Sequence, residues 1–189
     1  MRALHKAFTV IFAASLLVTI AAAQAPAKDP APQPPESPSK FLLDRWNDIG
    51  RKLIAMAEDM PEDKYDFKPN PDERTFAAQL LHAAGANYFF INPARGIDAP
   101  KSGPKRDDYK TKAQVVDYVK KSFSDGAALI QSKGDSGLND IMIDPFSKNQ
   151  ARFSDFAWDF IEHSGEHYGQ LVVYYRVAGL VPPESRPKK

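Results

Sequence analysis

Three of the four histidines in this chain lie beyond its N-terminal segment: His82, and the pair His163 and His167. The pair reads His-Ser-Gly-Glu-His, and on a helix an i, i+4 spacing stacks both imidazoles on one face, one turn apart. His82 belongs to a separate helical stretch, Thr75 to Ile91. Three neutral imidazoles from two helices can hold a divalent transition metal and leave a coordination position open for water or substrate. Zinc or nickel suits three nitrogens, whereas magnesium or calcium would want oxygen ligands. The alternative for each histidine is a core imidazole bonded to a backbone carbonyl. Nothing in the chain reads as a serine triad, a phosphate loop or a cysteine nucleophile.

The elements that must position these residues can be read from apolar spacing. Leu42, Trp46, Ile49, Leu53, Met56 and Met60 recur in steps of four and three, which predicts a bundle helix over about 39–60, ended by Pro61. A second helix is expected from the N-cap Thr75 through Phe76, Leu80, Leu81, Ala84, Tyr88 and Ile91 to Pro93. Thr111-Lys-Ala-Gln114 reads as a capping box opening a third, through Val115, Val119, Phe123 and Ile130 to Gly134. A fourth is expected from Ser154 to about Ala178, with Phe153 and Trp158 spaced as a hydrophobic staple. Its seam reads Phe156, Phe160, His163, His167, Gln170, Tyr174, Val177, which places both histidines in the buried stripe. Small residues near His82, namely Ala78, Gly85 and Ala86, are expected to leave space beside its ring.

No stretch shows a period of two, so the fold class expected is all-α, a four-helix bundle. The loops are unequal. Pro93 to Lys110 can reach roughly 60 Å extended, while a 20-residue helix is about 30 Å long. That loop can cross the whole bundle and let helices two and three run parallel. A second long loop, Lys133 to Phe153, is the other expected source of substrate contacts.

The ends of the chain read differently. Arg2 and Lys6, an apolar run from Phe8 to Ile20 and Ala21-Ala22-Ala23 make residues 1–23 a secretory signal peptide, and the run is shorter than a membrane span requires. Export to the periplasm or medium is expected, with no stable span after cleavage. Residues 24–38 hold six prolines and no apolar face, and read as an extended linker. The domain is expected over 39–181 and a disordered tail over 182–189. Without Arg2 and Lys6 the 25 basic residues become 23 against 24 acidic ones, a net charge of −1. That balance argues against nucleic acid as a partner, which needs a basic footprint. The chain has no cysteine, so it carries neither disulfide nor lipid-bearing cysteine.

The segment from Tyr65 to His82, with Phe67, Pro69 and Arg74, followed by His163-x3-His167-Tyr-Gly-Gln170, resembles the DinB superfamily of four-helix-bundle proteins. The resemblance covers about 41–180. It implies a crossover between helices two and three, and a zinc, nickel or similar ion held by His82, His163 and His167 at one end of the bundle. It also implies metal-dependent activities such as thiol transfer or thiol-dependent isomerisation, although this chain departs from the usual pattern in carrying an export segment. Asp159, one turn before His163, is a candidate to orient that ring. Glu166 lies about 100° round the helix from His167, and Gln170 is one turn beyond it; both are candidates for supporting or substrate contacts. The reading that follows is an exported, metal-dependent hydrolase or transferase acting on a small molecule. The alternative is a non-catalytic stress-related or binding module with a structural or vestigial metal site, and a homodimer is left open.

Overall fold

The computed structural model describes residues 37–187. The signal peptide expected at 1–23 and most of the linker expected at 24–38 lie outside the described residues. Four helices carry the fold: α1 (Pro38–Asp59), α2 (Phe76–Ala94), α3 (Lys112–Gly137) and α4 (Phe153–Val177). Each begins where local chemistry says it should, with one exception. Ser37 caps α1 by accepting from Lys40 N, and Thr75 caps α2 by accepting from Ala78 N. The expected capping box is formed at α3, Thr111 Oγ1 accepting from Gln114 N while Gln114 Oε1 accepts from Thr111 N. The exception is α4. Its N-cap is Arg152, which makes no side-chain cap bond. Phe153 does not staple to Trp158: it is buried against Phe90, while Trp158 is 40% exposed beside Phe41.

Helix α1 packs on α3 and α4, and α2 packs on the same two, so α1 and α2 stand diagonally across the bundle. Directions follow from residue pairs. Between α2 and α3, Ser122 Oγ bonds Ala84 O and Asn87, and Tyr88 bonds Asp125; the numbers rise together, so the two run parallel. Between α2 and α4 they run opposite, from Phe76 on Tyr174 to Phe90 on Phe156. Residues 95–111 therefore cross the bundle, as the loop length requires. Pro104 of this crossover lies against Gly85, where a Cβ would overlap the proline ring. Gly85 thus seats the crossover and does not make room for His82, which corrects the expectation; Ala86 does line the space beside that ring.

The core joins the expected seams. All six seam residues of α1 are buried. Trp46 lies against Gly126, donates Nε1–H to Phe123 O at 2.9 Å and packs on Phe90 and Phe123. Phe90 in turn gathers Phe153, Phe156 and Phe160, each such side chain contributing roughly 1.5–3 kcal/mol by burial. The predicted α4 seam drifts. Val177 is 56% exposed and Gln170 is exposed, while Leu171 and Tyr175 are buried. A strict 3.5-residue repeat rotates by about 20° per heptad on a straight helix, so the last turn presents the neighbouring positions.

Two further differences bear on the site. Gly134, at φ +55°, breaks the backbone of α3 before its last turn, a conformation that favours glycine. The chain then forms a small antiparallel hairpin, β1 (Ile141–Ile143) on β2 (Gln150–Arg152), which no period of two in the sequence announced. Strands of three residues are too short to carry one. Within the tail expected at 182–189, Pro183–Ser185 form a 3-10 turn, Glu184 pairs with Arg51 and Arg186 pairs with Asp59. Among the described residues no helix is long and apolar enough to cross a membrane.

Candidate metal centre

The antiparallel packing of α2 on α4 brings the three histidines together. One ligand atom from each of His82, His163 and His167 lies within 4.8 Å of the others, the one such cluster among the described residues. His163 Nε2 and His167 Nε2 are 3.0 Å apart, and the His82 ring lies 4.7 Å from that of His167 and 5.4 Å from that of His163. Two nitrogens on one tetrahedral ion, each about 2.0–2.1 Å from it, stand roughly 3.3 Å apart, and the α4 pair at 3.0 Å is slightly closer than that. The cluster lies within the helices, His163 near the middle of α4, and not at a helix terminus.

The electrostatics favour ligand-ready imidazoles. Burial, then the charge of Arg74, then His163 lowers the pKa of His82 to about 4. Burial, then its two histidine neighbours, lowers that of His167 to about 4. Burial lowers His163 as well, against the opposing carboxylates of Glu166 and Glu162. All three rings are therefore neutral at neutral pH, with a lone pair to give.

Hydrogen bonds separate this cluster from ordinary core histidines. A structural imidazole satisfies both ring nitrogens. Here His163 Nδ1 is buried with no partner, and the two facing Nε2 atoms must either share one proton or both turn lone pairs on a cation. His167 is held from behind. Gln79 of α2, fully buried, places its amide 2.7 Å from His167 Nδ1 and also bonds Gln170 Oε1, which is itself 3.3 Å from His167 Nδ1. Arg74 reaches Gln79 Oε1 at 3.3 Å. An ion on Nε2 requires a proton on Nδ1, and Gln170 Oε1, 3.3 Å away, can accept it. The residues present thus fit a divalent ion.

Beside the triad opens a cavity of about 480 Å³, within the range of small-molecule sites. His82 and His163 form part of its wall, and Phe89, Phe146, Phe156 and Phe160 form its apolar sides. Gly103 of the crossover and Asp144 of the hairpin also line it, so both long loops contribute.

The other expected site residues divide. Gln170 contacts His167, as its position one turn on required. Asp159 does not orient His163: among the described residues it makes no hydrogen bond or ion pair, and it instead lines the cavity. Glu166 is exposed and acts on His163 only through charge. Gln79, Asp144, Phe89 and Phe146 were missed. Gln79 had a signal, since it lies three residues before His82 on the same face of α2. Asp144 and Phe146 had none, because a tertiary fold alone brings the hairpin to the cavity.

Among curated proteins none matches the chain. A crystal structure of a DinB-like protein from Bacillus cereus superposes with a TM-score of 0.63 at 19% identity, over 76% of this chain and 95% of that one, which shows a shared fold. The profile of the DinB superfamily matches residues 45–171, a stretch that reaches into all four helices and contains all three histidines. The chain belongs to the DinB superfamily.

Proposed function

We propose that this protein is an exported metal-dependent enzyme, a hydrolase or transferase, with a divalent zinc or nickel ion held by His82, His163 and His167. The observation that carries this reading is the shared wall: His82 and His163 belong both to the triad and to the 480 Å³ cavity. A structural site would be closed by a fourth protein ligand, whereas three imidazoles facing a cavity leave a position for a reactant. When bound, the ion would supply Lewis acidity to a water or to a nucleophilic group of the substrate. The chain's own residues do the rest. Gln79 and Gln170 hold the His167 ring in place, the four phenylalanines exclude water from one side, and the lowered pKa values keep the ligands unprotonated.

Export is supported by the basic start, apolar run and small-residue site of residues 1–23. The deciding experiment is metal analysis of untagged protein from its native host, followed by calorimetric titration of the stripped protein with zinc and nickel. One ion per chain is expected. Absence of any bound or titratable ion would overturn the reading and leave the domain a binding module.

A further inference from the structure

We propose that the cavity beside the triad takes an organic cation, a small molecule with a protonated amine at one end and an aromatic or other apolar body. The inference rests on the reading of that cavity as the substrate site. Its apolar walls are aromatic: Phe89 and Phe146 stack at 5.3 Å and 22°, and Phe156 and Phe160 meet edge to face at 5.2 Å. Such faces attract both a flat apolar body and a positive charge.

Apart from any ion on the triad, the charged side chains of the wall have one sign. Asp144 and Asp159 line the cavity, and among the described residues no lysine or arginine does. Asp144 is committed to its turn, accepting from the backbone N–H of Phe146 and Ser147 and from the Ser147 hydroxyl, and Lys148 lies near it. Asp159 is uncommitted. It makes no bond among the described residues, and after burial the groups that raise its pKa are Glu162, Asp155 and Asp144, all carboxylates. The cation felt by all three imidazoles, Arg74, does not line the cavity and reaches Gln79 instead. An anionic ligand would meet no positive side chain there, while an ammonium would gain an unpaired carboxylate.

Position adds a length. Asp159 and His163 are one helical turn apart, roughly 6 Å along α4. An ammonium on Asp159 therefore leaves the atom about one ring's width away to face the triad, which matches an arylalkylamine.

The test uses protein stripped of metal, so that amine coordination cannot contribute. Calorimetry at pH 7.5 compares 2-phenylethylamine, neutral 2-phenylethanol and anionic phenylacetate. The amine should bind at least tenfold more tightly than phenylacetate. Asp159→Asn should weaken the amine at least fivefold and leave the alcohol unchanged; Asp159 is exposed, so the fold survives. Ala86→Phe, which fills the cavity, should weaken all three. Phenylacetate binding as well as the amine, no binding by any probe, or indifference to either substitution would overturn the proposal. Metal titration of the same samples separates the two readings. Loss of amine preference with intact metal binding removes this inference alone, and intact amine binding without metal uptake removes the proposed function alone.

Discussion

Gln79 and His167, 88 residues apart in sequence, meet at 2.7 Å between α2 and α4, with the amide against the Nδ1 side of the ring. This contact ties the helix that supplies one imidazole to the helix that supplies two. It fixes the ring whose Nε2 faces His163, the nitrogen that could meet an ion when Nδ1 donates its N–H to Gln170 Oε1. Because Gln79 is fully buried, its amide has no water to turn to, and the pairing is maintained by the cost of breaking it.

Removing that amide should therefore cost metal affinity while the triad remains. Gln79→Leu, close in size, should weaken zinc or nickel binding roughly 10–100-fold, the range for partners behind a ligating histidine. Unchanged affinity in a folded variant would show that Gln170 alone orients the ring.

The ligands themselves should matter more. His82→Ala, His163→Ala and His167→Ala should each lower affinity by more than about 100-fold, beyond what outer partners cost. Removing the ion from wild type with a chelator should lower the melting temperature, because an ion at 100 times its Kd stabilises the folded state by about 2.7 kcal/mol. Equal titration curves for all four proteins would return the histidines to the role of core residues.

The lowered histidine pKa values set a pH dependence. In the unfolded chain each imidazole takes a proton near pH 6.5, whereas His82 and His167 resist protonation in the fold until about pH 4. As pH falls from 6.5 toward 4 the unfolded state binds protons that the folded state refuses, so stability falls and the loss is complete below about 4. Urea melts of metal-free protein at pH 7, 5.5 and 4.5 should show this decline. Combining His82→Gln, His163→Gln and His167→Gln should flatten it, and an identical slope in that variant would assign the decline to carboxylates.

Close packing at Gly126 gives a prediction about the scaffold. A Cβ there would enter the ring of Trp46, which is itself anchored by its bond to Phe123 O. Gly126→Ala should destabilise the domain by about 1–3 kcal/mol, read by urea unfolding. A neutral result would mean that α1 and α3 can separate without cost.

Export predicts a terminus. Mass spectrometry of protein from the native host should find the chain beginning near Gln24, outside the cytoplasm. An intact Met1 in a cytoplasmic fraction would exclude the leader.

The sequence by itself determined the four helices, the caps at Thr75 and Thr111 and the pairing of His163 with His167, because these depend on short-range spacing. Leu42 through Met60 follow one helical stripe, and His163 and His167 share a helical face at any i, i+4 spacing. The length of 95–111 also sufficed for a crossover, since reach is a property of the backbone. Tertiary structure decided what stands beside these residues. Gly85 serves Pro104 and not His82, a distinction that depends on where the crossover lies. The hairpin brings Asp144 and Phe146 to the cavity from strands too short to show a period. Asp159 lines that cavity together with residues of α2, the crossover and the hairpin, and Gln79 meets His167 because α2 and α4 run antiparallel in one register. Periodicity states which face of a helix is buried; the partner on the other side is set by packing between segments distant in the chain.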